Sequence, residues 1–143
     1  MLKSALVVAW IGVCGVAGSG LVGCHHAKSR VIVAETQITV LDPILFATGS
    51  DQLPANAQDM IAAIAKTIDA HPEFLKLAVE AHTVPEDAAN DADRTALGQR
   101  RAQAVLAGIV AHGIAADRLE PTTATDGPAR IEIVIEKRAP GSE

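Results

Sequence analysis

Cysteine and histidine side chains can serve as nucleophiles or metal ligands, and cysteines can also form disulfides. Two cysteines occur, Cys14 and Cys24, and the second is followed directly by His25 and His26. A thiol beside two imidazoles could bind a metal ion, but adjacent histidines are a weak signal for a metal site. The residues that precede Cys24 indicate a different use of its thiol.

The first 23 residues have the composition of a secretory signal. Lys3 precedes residues 5–23, which carry no charge, as in a positive n-region followed by an apolar h-region. The stretch Leu21-Val22-Gly23-Cys24 resembles the lipobox of bacterial lipoproteins: an aliphatic, a variable and a small residue, then cysteine. The resemblance implies that the Cys24 thiol is alkylated with diacylglycerol and that cleavage removes residues 1–23.

Lipid on Cys24 would hold the protein on a membrane, because two or three acyl chains anchor stably where one binds marginally. Cleavage would also remove Cys14, which leaves no thiol for a disulfide, a metal or catalysis. The alternative is an uncleaved signal or anchor, since 19 uncharged residues are just enough to span a bilayer of about 30 Å. Five glycines in that stretch weaken such a helix.

The composition argues against several classes of function. The formal net charge is −5, and the aromatic residues are two Phe and one Trp, with no Tyr. Nucleic acid is therefore not an expected partner, and stacking platforms for bases or sugars are not expected either. No nucleophile–base pair or close carboxylate pair stands on the predicted elements, so we expect neither an enzyme nor a cofactor.

An acidic segment, residues 84–93, is a second candidate for ion binding. Asp91-Ala92-Asp93 has the spacing that opens a calcium loop, but the glycine and the distant glutamate of that loop are missing. We interpret this segment as a solvated acidic loop and predict no metal site.

The periodicity of the apolar residues predicts an α+β domain in the order β-α-β-α-β(β), with two helices packed on a small mixed sheet. Strands are predicted over 30–41 with a break near Glu35, over 73–83, over 116–123 and over 129–137. The covered face of the second of these strands is predicted to comprise Phe74, Leu75, Leu77 and Val79.

The helices are predicted over 55–70 and 94–112, the second with Asp93 as N-cap and Gly113 as its stop. Together these elements predict a domain over residues 31–138. A short tether, 24–30, precedes the domain, and a frayed tail, 139–143, follows it.

Five segments, taken in order, resemble the OmpA-like C-terminal domain, the peptidoglycan-associated module found in Pal-like lipoproteins. Members have an apolar-Phe strand end with a small-residue turn, a strand ending in Gly-His-Thr-Asp, a helix beginning Leu-Ser-x-x-Arg-Ala, a Gly-Ile-x-x-x-Arg-Leu segment and a final Asn-Arg-Arg-Val-Glu-Ile. The corresponding segments here are ILFATGSDQL, VEAHTV, LGQRRAQAV, GIAADRL and PARIEI. The resemblance covers about residues 40–137.

This resemblance implies a site for the diaminopimelate of the peptidoglycan stem peptide. A zwitterionic amino-acid end needs an anion for its ammonium and a cation for its carboxylate, and a forked guanidinium suits the carboxylate. By the resemblance, Arg101 binds the ligand carboxylate. Further contacts would come from the motif residues Thr83 and Arg130 and from the first turn, at Thr48 and Gly49.

The sequence departs from the family at Val84, which stands where the aspartate for the ligand ammonium belongs. Losing one charge-assisted hydrogen bond costs about 1.5–3 kcal/mol, or roughly tenfold to hundredfold in affinity. Asp87 or Asp91 could replace it from the acidic loop. Purely structural roles stay open as well: Arg101 could pair with an acid of that loop, and His82 could be a hydrogen-bonded structural residue.

The expected function is that of a lipid-anchored, non-enzymatic outer-membrane protein whose domain faces the periplasm and tethers the membrane to peptidoglycan. His25, rather than aspartate, follows Cys24, which by resemblance to enteric lipoproteins favours the outer membrane. The alternative is a degenerate copy that binds other envelope proteins instead of the wall. Val84 favours that alternative, and so does a tether of about six residues, which reaches at most roughly 20 Å.

Overall fold

The computed structural model describes residues 31–141. The predicted signal segment, Cys24, the tether and residues 142–143 lie outside this range. Within it the chain forms two helices and five strands, as the α+β interpretation predicted. The elements are β1 (Val31–Val33), β2 (Gln37–Val40), α1 (Ala57–Ala70), β3 (Phe74–His82), α2 (Asp91–Ala111), β4 (Leu119–Ala124) and β5 (Arg130–Arg138). Two short 3-10 turns, Pro85–Asp87 and Ala116–Arg118, precede α2 and β4.

The strands form one mixed sheet in the order β1-β2-β5-β3-β4. β3 pairs with β4 in parallel, and the other neighbours are antiparallel. The parallel pair requires a crossover, which α2 provides. The first predicted strand is a hairpin, broken near Glu35 as predicted and closed by a hydrogen bond of 2.8 Å from the Ala34 N–H to the Gln37 oxygen.

The prediction for the covered face of β3 is wrong at Leu75. The pairing of β3 with β5 shifts register between Phe74 and Leu77. Both side chains are therefore buried, although residues three apart in a regular strand point to opposite faces. Leu75 is instead 41% exposed. A register irregularity of this kind breaks strict alternation, which sequence periodicity assumes throughout a strand.

Both helices pack on one face of the sheet, where the apolar side chains of both layers meet. Alternation along β5 sends Ile131, Ile133 and Ile135 to this face. The helices approach each other closely, since a Cβ on Gly108 of α2 would lie 2.9 Å from Ile61 Cδ1 of α1. Among the helices within residues 31–141, none combines the length and apolar character needed to cross a membrane.

The ends of α2 follow local capping chemistry, but its N-terminus lies earlier than predicted. Asn90 is the N-cap rather than Asp93, because the Asn90 Oδ1 accepts a hydrogen bond of 2.8 Å from the Asp93 N–H. The C-terminal stop is confirmed. Gly113 adopts φ +96° and donates to the Val110 oxygen at 2.9 Å, and Ile114 beyond it is buried.

Candidate functional site

Arg101 lies on the buried face of α2, in line with Leu97 and Val105 four residues to either side. Only 2% of its surface is exposed. A guanidinium keeps its charge in proteins, so burial on this scale requires a compensating anion and hydrogen-bond acceptors. The structure supplies both, from two loops that are distant in sequence.

The anion is Asp87, at the end of the 3-10 turn that follows β3. Arg101 Nη1 donates to Asp87 Oδ2 at 2.9 Å and Nη2 donates to Oδ1 at 2.8 Å, which is the bidentate geometry that suits a guanidinium and a carboxylate. The Asp87 side chain is 3% exposed. The prediction that residues 84–93 are solvated is therefore wrong at Asp87, because the turn points this carboxylate inward.

Two backbone N–H groups also donate to Asp87: Val84 at 3.1 Å and Gly49 at 3.2 Å. The hydrogen bonds from Arg101, reinforced by these two, lower the pKa of Asp87 to about 2, against a desolvation that acts in the opposite direction. Asp87 is therefore ionised at neutral pH.

The second loop is the turn at residues 47–50. Arg101 Nε donates to the Ser50 oxygen at 2.8 Å and Nη2 to the Ala47 oxygen at 3.1 Å. Gly49 adopts φ +67°, a left-handed conformation that glycine accepts without strain. Phe46 completes the surroundings, with its ring centroid 5.1 Å from the Arg101 Cζ, within cation–π range.

The structure brings together three of the predicted site residues, Arg101, Thr48 and Gly49, since the guanidinium holds the turn that contains the other two. Both turn residues are exposed, so they form the accessible rim beside the buried ion pair. With four of the five N–H groups of Arg101 bonded inside the protein, the cluster is largely closed.

Thr83 lies directly after β3, against the start of α2. It is fully buried, and its N–H donates to the Ala124 oxygen at 3.0 Å. A Cβ on Gly98 would lie 3.3 Å from the Thr83 Cγ2, so a glycine in α2 permits this close approach. The Thr83 hydroxyl is buried without a hydrogen-bond partner among the described residues.

Of the two residues proposed to replace the missing aspartate, the structure places Asp87 in the Arg101 cluster. Asp91 pairs instead with Arg94, at the exposed start of α2. Val84 is half-buried and contributes its N–H to Asp87. The turn therefore places a buried carboxylate three residues after position 84, beside Arg101.

Arg130, the remaining predicted contact, lies on the sheet face that points away from the helices. It is registered opposite His82, and its Nε donates to Glu132 Oε1 at 2.5 Å while Nη1 donates to the Pro128 oxygen at 3.2 Å. Within residues 31–141 it makes no hydrogen bond or ion pair with Arg101 or Asp87. Its predicted role in binding stays a prediction.

A polar cluster on that same face was not predicted. His82 is 4% exposed, and its Nε2 lies 2.9 Å from Glu80 Oε1 and 3.3 Å from Glu132 Oε2. Its Nδ1 lies 2.8 Å from the Asp126 carbonyl oxygen. Strand alternation in the sequence already places Glu80 and His82 on one face of β3. The sequence does not show that β5 pairs with β3 in the register that brings Glu132 beside them.

The comparisons with known proteins agree with this architecture. The profile of the OmpA family matches residues 45–131, a segment that contains the turn, both helices, β3, β4, Asp87 and Arg101. The chain belongs to the OmpA family. No curated protein sequence matches it at a significant level.

Solved structures show the OmpA fold at low sequence identity. The periplasmic domain of Helicobacter pylori MotB matches with a TM-score of 0.62 at 18% identity, over 78% of this chain and 88% of that one. An outer membrane protein from Borrelia burgdorferi matches with 0.61 at 20%, over 73% and 94%. The OmpA-like domain of FopA1 from Francisella tularensis matches with 0.57 at 19%, over 73% and 77%.

Proposed function

We propose that this OmpA-family chain is a non-enzymatic cell-envelope protein that binds peptidoglycan through the diaminopimelate of the stem peptide. In this proposal the domain faces the periplasm, and lipid on Cys24 anchors it in the outer membrane. The chain thereby tethers that membrane to the wall. Family membership and the lipobox resemblance support this proposal.

The observation that carries the proposal is the ion pair between Asp87 and Arg101. A zwitterionic ligand end needs one anion and one cation within reach of each other, and Val84 had removed the anion from its expected position. Asp87 restores an ionised carboxylate beside the guanidinium, at 2.8 and 2.9 Å. The pair lies under the exposed rim of Thr48 and Gly49.

We expect this binding to be weaker than in a site whose two charges are free. Arg101 has one N–H group left outside its internal hydrogen bonds, and the side chain of Asp87 is 3% exposed. A ligand carboxylate or ammonium must displace part of the internal network to bind both charges. Each charge-assisted hydrogen bond given up in that exchange costs about 1.5–3 kcal/mol.

The internal hydrogen bonds of Asp87 and Arg101 also favour a second candidate function. An ion pair whose hydrogen bonds lie within the protein can have a purely structural role. Here Arg101 holds the turn at 47–50, and Asp87 holds the loop after β3. In that case the domain would be a degenerate copy that binds other envelope proteins through its surface and does not bind the wall.

Co-sedimentation with purified sacculi distinguishes the two functions. The full chain, kept soluble in mild detergent, is expected to pellet with sacculi, and D87N is expected to lose at least tenfold in affinity. Arg100→Ala is the control. Arg100 is the residue before Arg101 in the chain, but it is exposed and forms a separate ion pair, with Asp51 at 2.9 Å. Circular dichroism confirms that each variant is folded before it is compared.

Two outcomes would contradict wall binding by the Asp87–Arg101 pair. If the wild type stays in solution and Val84→Asp pellets, the site is a relic, and the protein-interaction function is favoured. If D87N pellets like the wild type while Arg130→Ala does not, the ligand contact lies on the other face of the sheet.

A further inference from the structure

Three titratable side chains converge on the sheet face that points away from the helices. Glu80 and His82 are two residues apart on β3, so their side chains lie on the same face of the sheet. On β5, Glu132 is paired with Glu80 in the register of the two strands. The intervening residues Ala81 and Ile131 are buried in the core on the other face. Strand alternation and register therefore place Glu80, His82 and Glu132 side by side.

The tautomer of His82 directs its free nitrogen into this cluster. Nδ1 lies 2.8 Å from the Asp126 carbonyl oxygen, and a carbonyl can only accept, so Nδ1 carries a proton. In the neutral imidazole the lone pair is then on Nε2. That nitrogen is buried and makes no hydrogen bond, although two carboxylate oxygens lie 2.9 and 3.3 Å away.

We propose that Glu80, His82 and Glu132 bind one divalent transition-metal ion, for which Zn²⁺ is the best fit. An unpartnered imidazole lone pair and two carboxylates repel one another unless a cation lies between them. The two carboxylates attract a cation, with Arg130 offsetting part of the charge of Glu132. The mixture of one nitrogen with two oxygens favours Zn²⁺ over Mg²⁺ or Ca²⁺. This proposal does not depend on peptidoglycan binding.

The distances fit such an ion. The three ligand atoms lie within 4.8 Å of one another, and the two nitrogen–oxygen separations are 2.9 and 3.3 Å. Ligands about 2.1 Å from a tetrahedral Zn²⁺ are about 3.4 Å apart. A small movement of the half-buried glutamates suffices to close the site, and three protein ligands leave the fourth position for water.

Neighbouring groups already orient the ligands in the way that metal sites require. The Asp126 carbonyl fixes the ring of His82, and Arg130 donates to Glu132 Oε1 at 2.5 Å, which leaves Oε2 directed at His82. Hydrogen bonds of this kind set the tautomer and the orientation of metal ligands. A bound ion would tie β3 to β5 and secure the loop that covers His82.

Titration with Zn²⁺ tests the proposal on the full chain in mild detergent. Competing ligands outside the cluster are removed first, by the substitutions Cys14→Ser, Cys24→Ser, His25→Ala and His26→Ala. Calorimetry should then show one Zn²⁺ per chain, and Co²⁺ should give the visible absorption of a tetrahedral site. Glu80→Gln and Glu132→Gln should each weaken Zn²⁺ binding at least tenfold, and both should retain the fold because they are isosteric.

The matched control is Glu73→Gln, which alters another histidine–carboxylate contact, that of His71 Nδ1 with Glu73 Oε1 at 2.7 Å. It should leave Zn²⁺ binding unchanged, and Zn²⁺ should raise the melting temperature of this control but not of the two glutamine variants in the cluster. The absence of saturable Zn²⁺ binding, or equal binding by parent and cluster variants, would overturn the proposal.

Discussion

Asp87 and Arg101 form a buried bidentate ion pair that joins three separate segments of the chain. The two hydrogen bonds of the pair measure 2.9 and 2.8 Å. Through Arg101 the pair holds the carbonyls of Ala47 and Ser50, and through Asp87 it holds the N–H groups of Val84 and Gly49. The first turn, the loop after β3 and the middle of α2 are thus fixed relative to one another at the candidate site.

Removing one partner of this pair should be strongly destabilising. Arg101→Met leaves Asp87 buried without its cation, and we expect a loss of about 3–5 kcal/mol in the free energy of unfolding. Urea denaturation measures the loss. Arg100→Met is the control, since its exposed pair with Asp51 should contribute less than about 1 kcal/mol. Equal effects of the two substitutions would show that the buried pair stabilises the fold no more than the exposed pair does.

The pair also predicts how stability depends on pH. The pKa of Asp87 falls from 3.8 to about 2 on folding, so its contribution is fully present above the unfolded value and is lost as the pH falls through the folded value. We expect about 2 kcal/mol of stability to disappear between about pH 4 and pH 2. Denaturation curves across this range should show the loss in the wild type and a flatter profile in D87N. A wild-type profile as flat as that of D87N would contradict the assignment.

Arg118 should stabilise the C-terminal end of α1, which has no basic residue in its last turn. Its Nη2 donates to the oxygen of the C-cap residue His71 at 3.1 Å and to that of Ile68 in the last turn of α1 at 3.4 Å. It also donates to the Phe74 oxygen, at the start of β3, at 2.9 Å. A cation that binds carbonyls at a helix C-terminus complements the helix dipole. Arg118→Met is expected to lower the free energy of unfolding by about 1–3 kcal/mol.

Lys76→Met provides the comparison for Arg118, because Lys76 lies 3.6 Å from Glu120 in a partly exposed pair. Its replacement should change stability by less than about 1 kcal/mol. Urea denaturation of the two variants side by side measures both effects. If Lys76→Met costs as much as Arg118→Met, the bonds to the helix end are not the source of the stabilisation.

Lipid attachment at Cys24 is tested by comparing the two cysteines. Cys24→Ser should abolish incorporation of labelled fatty acid and retain the signal segment, because the thiol that carries diacylglycerol is gone. Cys14→Ser should be lipidated and processed like the wild type. Intact-mass measurement and labelling report both events. Lipid on the Cys24→Ser variant would refute the interpretation of Leu21-Val22-Gly23-Cys24 as a lipobox.

Local signals in the sequence predicted most of the fold. The alternating isoleucines of β5, the helical spacing in α1 and the stop at Gly113 each depend on neighbours within a few residues, and the structure confirms them. The predictions were wrong at Leu75, at the N-cap Asp93 and at Asp87, which was expected in a solvated loop. Leu75 is displaced by a register irregularity against β5, and Asn90, which lies just before Asp93, offers an equally good capping side chain.

The sequence by itself determined the family and the order of the elements, because periodicity and short motifs encode these features locally. Tertiary structure alone decided that Asp87 pairs with Arg101, since the turn that directs its carboxylate inward meets Arg101 only when α2 packs against the sheet. It likewise decided that Glu80 and Glu132 converge on His82. Strand register brings these residues together, and register depends on contacts across the whole sheet.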